Sequence, residues 1–449
     1  MNQTTIYDRS TRRTFLKQAA AASATFAAPA LIYGSPNEKV NIAGVGVQGK
    51  GRSDLSGTAP NNNVVALCDV DAGHLEKAAK TYTGAKKYND WRKMLEQSDI
   101  DAITVSTPDH MHAPIAMTAM RMGKHVYVQK PLAHTVYEAR QMRLAAQKHG
   151  VISQMGNQGH SGSGYKTLVN WIQAGVIGKV KEAHAWSNRP IWPQGIDRPK
   201  TSSEPPENLD WDLWLGVAKY RPFVGPQADS KRGRGLYHPF NWRGWLDFGV
   251  GALGDMGCHI IDPVVWSLGL SAPKKVKSVG PKPNTETFPN WGIIHYDFAA
   301  TKYTVDGDVR MTWYDGGKKP STSLVPDGVK IPDNGCLLIG TEGTVLCQHG
   351  KNPVVLPGSK AASAELPVLE DADHYQQWAN AIKNTDTATS SFDYAGPLTE
   401  TVLLGTIAIR FSDETLKWDS ENLKFPNKSA ADEFVHHAYR KGWEVKGLS

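Results

Sequence analysis

A glycine triad set twenty residues ahead of an acidic residue constrains this 449-residue chain more than any other feature. Lys39 to Gly46 (KVNIAGVG) has the pattern of a short buried β-strand, and it runs into Gly44-x-Gly46-x-x-Gly49. A second strand, Asn63 to Leu67, follows and leads to Asp69. In a strand–helix–strand unit such glycines let the backbone approach a pyrophosphate, which then meets the helix N-terminus. Gln48 lies within the same loop and joins Gly44, Gly46 and Gly49 as a candidate cofactor contact. Asp69 stands where a carboxylate can accept hydrogen bonds from both hydroxyls of an adenosine ribose. Its charge would repel a 2′-phosphate, so NAD is expected in preference to NADP. A glycine turn in some other α/β protein is the competing reading.

The alternation of strands and helices continues. Ile100–Ser106 is a predicted buried strand leading into Thr107-Pro108-Asp109-His110-Met111-His112. A helix from about Ala113 to Met122 follows, with Gly123 as its C-cap. His125–Val128 is the next strand and ends in Gln129-Lys130-Pro131; a helix over Thr135–His149 and a strand at Val151–Ser153 complete the series. Such alternation predicts a doubly wound parallel sheet, whose ligands bind beyond the strand C-termini. The glycines, Asp69, Thr107–His112 and Lys130 all fall there and are expected to face one crevice.

Beyond Gln158 the pattern changes. Glu182–Asn188, Trp291–Phe298, Val309–Tyr314 and Cys336–Cys347 alternate or carry β-branched residues, which predicts an open, mostly antiparallel sheet in an α+β unit. Arg189 to Gly249 is rich in Pro, Trp and Arg and has little periodicity. A loop region that long inside a compact protein points to function. Amphipathic helices are expected around His374–Lys383, Pro397–Arg410 and Ser429–Tyr439. The predicted organisation is therefore a leader over residues 1–34, a Rossmann unit over 35–156 and a second unit over 157–449.

Hydrophobic residues make up 40 % and charged residues 21 %, an ordinary globular composition. The net charge is +6, and half of it comes from Arg9, Arg12, Arg13 and Lys17 against Asp8 in the leader. The remaining charge is too small and too scattered for nucleic-acid binding. Thr11–Lys17 (TRRTFLK) carries twin arginines and precedes an alanine-rich run from Ala19 to Ile32, the pattern of a cleavable export signal. It resembles a Tat signal, which implies the Tat machinery as partner and a periplasmic or other extracytoplasmic location for a protein exported already folded. The four cysteines lack metal-site spacing, and no metal is expected. Cys336 and Cys347 would face each other if Thr341-Glu342 turns a hairpin. Two buried thiols are the plainer expectation, and a disulfide is the alternative.

Gly249-x-Gly251-x-x-Gly254-Asp255-Met256-Gly257-Cys258-His259 precedes an apolar run to Leu268 and predicts a helix beginning near Gly254. Asp255 and His259 then lie one turn apart on one face. A carboxylate there can orient an imidazole and raise its basicity, as a general base requires. An N-capping Asp and an ordinary helical His are equally compatible with the spacing.

Thr107–His112 together with Lys130-Pro131 resemble the signature of the Gfo/Idh/MocA oxidoreductases, two-domain NAD(P)-dependent enzymes that mostly act on carbohydrates. The resemblance covers nearly all of residues 39–449, and it departs at Gln129, where the commoner form has Glu. It implies catalytic roles for three residues: His259 as general base, Asp255 orienting it and touching the sugar, and Lys130 polarising the reacting oxygen. It also implies cofactor contacts at Thr107, Pro108, His110, His112, Gln129 and Asn157, a tail that packs back on the nucleotide-binding half, and a homo-oligomer. Among the aromatics, Trp192, Trp242 and Trp245, interleaved with Arg189, Tyr237, His238 and Arg243, are candidate sugar contacts; Trp186, Trp211, Trp214 and Trp266 are expected core. The expected function is an exported sugar or glycoside dehydrogenase with tightly bound NAD. An NAD-dependent glycosidase and a non-catalytic sugar binder are the alternatives.

Overall fold

The computed structural model describes residues 39–226, 235–281 and 283–449; the twin-arginine segment lies outside them. The first sheet contains β1 (Asn41–Val45), β2 (Asn63–Cys68), β3 (Lys86–Tyr88), β4 (Ala102–Val105), β5 (His125–Gln129) and β6 (Ser153–Gly156). All are parallel, in the order β3-β2-β1-β4-β5-β6. The order reverses on either side of β1, which opens a crevice at the C-terminal ends of β1 and β4. The central strands are apolar on both faces because helices cover both. These helices are α1 (Lys50–Thr58), α2 (Ala72–Ala79), α3 (Trp91–Leu95), α4 (His112–Arg121) and α5 (Val136–His149). Their starts are encoded locally. Asp71 caps α2, Asp90 caps α3, and Thr135 with Glu138 forms a reciprocal capping box on α5.

The second sheet has eight strands: β7 (Val180–Trp186), β8 (Lys275–Val279), β9 (Ile293–Phe298), β10 (Val309–Tyr314), β11 (Gly335–Gly340), β12 (Thr344–Gln348), β13 (Val354–Val355) and β14 (Thr415–Lys417). Their order is β13-β12-β11-β7-β10-β9-β8-β14, antiparallel except where β7 meets β10. Cys336 and Cys347 are direct cross-strand partners in the β11–β12 hairpin, and all four cysteines are free, buried thiols. One face of this sheet packs on α6 (Ser163–Gln173), α8 (Gly251–Ile260), α9 (Asp262–Leu268) and α11 (Phe392–Arg410). The helix expected near Gly254 begins three residues earlier. Between β7 and α8, Trp211, Trp214, Phe223, Tyr237, Trp245 and Phe248 form a separate aromatic core around α7 (Trp211–Leu215).

The tail returns to the first sheet. In α10 (His374–Ile382), Trp378, Ala379 and Ile382 pack with Ile42, Leu67 and Tyr127 of the nucleotide-binding core. The outer edge of β6 is closed by the same tail: Met155 N–H donates to Ser390 O at 2.9 Å, Phe392 N–H donates to Ser153 Oγ at 3.1 Å, and His374 Nε2 donates to Met155 O at 2.8 Å. Instead of an α-helix over Ser429–Tyr439 there is a 3-10 segment, Ser429–Phe434. Its continuation is diverted because the Val435 carbonyl accepts from Tyr137 N–H at 3.0 Å. Among the described residues no helix is long and apolar enough to cross a membrane.

Candidate active site

The glycine loop joins β1 to α1. Gly46 has φ +75°, and a Cβ there would sit 2.6 Å from the Ser106 carbonyl at the end of β4. Gly49 has φ +57° and faces open space, so the loop offers a concave backbone surface directly before the N-terminus of α1. Gly44 packs against Leu55 of α1 instead. Asp69 is fixed at the end of β2, where Oδ2 accepts from Val47 N–H and Oδ1 from Asp71 N–H, both at 3.0 Å. Each oxygen keeps a lone pair for a ribose hydroxyl. Gln48 lies at this end of the crevice, with Nε2 3.5 Å from the His74 carbonyl. Thr107 Oγ1, after β4, is buried without a partner. A cradle, an anchored carboxylate and an unpaired hydroxyl along one crevice fit a dinucleotide.

Other predicted cofactor residues serve the scaffold. His110 places its ring nitrogens 3.3 Å and 3.2 Å from the carbonyls of Phe248 and Trp214. His112 does the same with Pro131 and Thr107, at 2.8 Å and 2.9 Å. Burial lowers both imidazoles to a pKa of about 4. His110 thus ties the Pro108 turn to the second half of the molecule, and His112 ties the ends of β4 and β5 together. Asn157 is also turned inward: Nδ2 donates to Asp262 at 3.1 Å and Oδ1 accepts from Ser390 at 2.6 Å.

Gln129 explains its own departure from the commoner Glu. Its Nε2 donates to both carboxylate oxygens of the fully buried Asp54 on α1, at 3.0 and 2.9 Å. Asp54 also accepts from Ser106 Oγ at 2.7 Å and Tyr375 Oη at 3.0 Å, and it pairs with Lys50 Nζ at 3.0 Å. The negative charge is therefore present, but on α1, and an amide is the side chain that can face it.

The reactive groups converge where β5 meets α8. Lys130 Nζ donates to Asp255 Oδ1 and to the Asp255 carbonyl, both at 2.6 Å. Arg243 Nε lies 3.3 Å from Asp255 Oδ1, and Arg189 Nε lies 3.5 Å from Oδ2. Burial pushes the Asp255 carboxyl up, but Lys130 and Arg243 outweigh it and hold the group below the usual carboxylate range. Burial lowers the Lys130 ammonium, with Asp255 opposing and Arg243 assisting. His259 makes no hydrogen bond to Asp255; its Nδ1 is buried and unpaired. Burial, then Lys130, then a second imidazole, His349, lower its pKa well below 6.5. The expected carboxylate-oriented, more basic histidine is thus corrected. Helical spacing brought the two residues to one face, but the cations claim the carboxylate.

His349 was not foreseen. It follows β12, its ring centroid lies 5.5 Å from that of His259, and its Nδ1 is 2.6 Å from Tyr165 Oη on α6. Nothing local in the sequence marks it, because only the register of the second sheet brings it there. Asp109, expected at the crevice within Thr107–His112 but given no role, also contributes. Its Oδ1 lies 3.4 Å from Arg243 and its Oδ2 accepts from Val250 N–H, and burial, opposed by Arg243 and Lys130, raises it to about 6.

The aromatic assignments divide. Trp242 and Trp192 are buried and flank the Arg243 guanidinium at 4.4 and 5.8 Å, so they hold a cation rather than present a free face to a sugar. Tyr237 and Trp245 are fully buried in the aromatic core and not at the site. His238 lies elsewhere, with Nε2 3.4 Å from Asp71 beyond the adenosine end.

Comparison with known proteins agrees with the two-part fold. Residues 39–157 match the family model described as oxidoreductase family, NAD-binding Rossmann fold, and residues 172–445 match its C-terminal alpha/beta domain. The inositol 2-dehydrogenase of Salmonella typhimurium is 32 % identical over 149 residues, 32 % of this chain and 44 % of that enzyme. A glycosyl hydrolase family 109 protein of Saccharopolyspora erythraea is 32 % identical over 154 residues, 32 % of this chain and 33 % of that protein. Each match therefore spans less than half the length of the curated relative. The WlbA dehydrogenase of Bordetella pertussis, solved with NADH and UDP-GlcNAcA, shares the fold at TM-score 0.57 and 16 % identity, over 85 % of this chain and 99 % of that one.

Proposed function

The chain belongs to the Gfo/Idh/MocA oxidoreductase family, and from that premise we propose that it is an exported dehydrogenase that oxidises a carbohydrate hydroxyl with tightly held NAD. The observation that carries this reading is the meeting of the Lys130 ammonium, from the nucleotide-binding half, with Asp255, Arg243 and His259 of the other half. Gly46, Gly49, Asp69 and Thr107 would hold the nucleotide, which when bound supplies the hydride acceptor. Lys130 would donate to the reacting oxygen and stabilise developing negative charge, a contribution of about 3 kcal/mol in comparable sites. Asp255 would keep that ammonium in place, and Arg189 and Arg243 would keep Asp255 ionised.

His259 is neutral at physiological pH, the form that can accept the hydroxyl proton. Its weak basicity favours the reverse step, in which the imidazolium returns a proton to the developing alkoxide. An enzyme that oxidises one sugar and reduces another on the same bound cofactor would use both directions. His349, beside an exposed turn and braced by Tyr165, would pass the proton onward to solvent.

The twin arginines support export by the Tat route, and free NAD is scarce outside the cytoplasm. Retention of the nucleotide is therefore part of the proposal. The test is purification without added nucleotide, followed by nucleotide analysis and incubation with sugars and aryl glycosides. Bound NAD and accumulation of a ketosugar are expected; apoprotein with only micromolar affinity would overturn the reading. The glycosyl hydrolase relative supports a second reading, transient oxidation with elimination of the aglycone. Free aglycone without ketosugar would establish that one instead.

A further inference from the structure

Asp71, His74 and His238 stand together beyond the adenosine end of the crevice, and neither the glycine loop nor the catalytic cluster uses their side chains; only the backbone of Asp71 and His74 hydrogen-bonds with Asp69 and Gln48. Asp71 caps α2, His74 lies in its first turn, and His238 belongs to the second half of the chain. Asp71 Oδ2 is 3.8 Å from His74 Nε2 and 3.4 Å from His238 Nε2, and one ligand atom from each residue fits within a 4.8 Å cluster. A tetrahedral zinc ion with bonds of about 2.1 Å to nitrogen and oxygen sets its ligands roughly 3.3 Å apart. The three atoms would therefore need only a small inward shift to share one ion.

The surroundings are those of a prepared ligand set. Asp71 Oδ1 is already saturated, accepting from Gly73 N–H at 2.8 Å, His74 N–H at 3.1 Å and Asn208 Nδ2 at 2.8 Å. Those bonds fix the carboxylate and leave Oδ2 facing both imidazoles. The other ring nitrogen of His74, Nδ1, lies 3.8 Å from Asp69 Oδ1. That is beyond a hydrogen bond, but the negative charge behind the ring favours the proton on Nδ1 and leaves Nε2 free as a ligand. Side-chain exposures of 12 %, 26 % and 16 % for Asp71, His74 and His238 leave a path for an ion and a coordinated water.

We propose that these three residues bind a divalent transition-metal cation of the zinc class, clipping α2 of the nucleotide-binding half to the segment around His238. Two imidazoles and one carboxylate select such a cation over magnesium or calcium, which take all-oxygen shells. The ion would sit beside Asp69, which backs His74 without ligating the metal, so occupancy would close the adenosine end and slow nucleotide release. The site itself does not depend on the dehydrogenase reading.

The test uses the full chain stripped with chelator and titrated with zinc chloride in a non-coordinating buffer, with bound metal measured by elemental analysis after desalting. One zinc per chain is expected, with affinity at least tenfold weaker in His74→Ala and in His238→Gln. Should His74→Ala fail to fold, His238→Gln carries the comparison, since its residue lies outside the helices. Cobalt substitution should give the intense visible bands of a four-coordinate site. Substoichiometric uptake, or one zinc held equally well by wild type and His238→Gln, would overturn the proposal.

Discussion

In the nucleotide-binding half, Thr107 apart, the polar side chains that follow the central strands are already committed: His110 and His112 face carbonyls, Gln129 faces Asp54, and Asn157 bridges Asp262 and Ser390. In the second half, the corresponding groups are poised but unfinished. Asp255 gathers three cations, and His259 keeps an unpaired buried nitrogen beside His349. The first region presents backbone, one carboxylate and one hydroxyl to its ligand, while the second presents titratable side chains. A signature motif can thus be diagnostic of a fold because it builds the crevice, without each of its side chains touching what binds there.

The largest effect that would sharpen this contrast is His259→Ala, expected to lose at least about 10²-fold in turnover while nucleotide binding, followed by fluorescence, is retained. Near-normal turnover would remove His259 from the chemistry. Next comes acid stability. His110 and His112 stay neutral to about pH 4 in the fold, whereas an unfolded imidazole takes up its proton near 6.5. The unfolded chain therefore binds more protons between those values. Stability is full above about pH 6.5 and falls as pH drops toward 4, by up to about 3 kcal/mol per histidine. Urea midpoints at pH 7, 5.5 and 4.5 should show that slope, and His112→Gln should flatten it.

A smaller effect is expected from Gln129→Glu, which sets a carboxylate about 3 Å from that of Asp54 and should cost about 1–3 kcal/mol. Adding Asp54→Asn should recover most of it, and failure of the double variant to recover would break the explanation given for Gln129. The smallest is Tyr237→Phe: because the residue is core, KM for the sugar should change by less than about twofold. A tenfold rise would return Tyr237 to the substrate pocket.

The doubly wound sheet was legible because strands buried on both faces and capped helices leave strong local patterns, as at Ile42–Val45 and Thr135–Glu138. Strands of two or three residues, β3, β13 and β14, were not, since their pairing rests on neighbours far along the chain. At the site, Lys130 could be named because it follows a strand and completes a family-like motif, and Arg189 and Arg243 because they lie among the tryptophans of the loop region. The choice of partner for Asp255 could not, because four-residue spacing gives proximity to His259 but says nothing of cations arriving from β5 or from the loop after β7. His238 and Tyr237 were misplaced for the opposite reason: neighbours of Trp242 in sequence, they are carried by the loop to α2 and into the aromatic core. Asp54 and His349 enter only through tertiary register.

The tail closure of β6 bears on biosynthesis. With Trp378 filling the interior of the first sheet and residues 374–392 sealing its last strand, a ribosome that has released only the first 160 residues has made a unit lacking a wall. That sheet can reach its final packing only after some 230 further residues have emerged, so maturation of the earliest-made portion waits on the latest, and a nascent chain needs shelter for most of its translation.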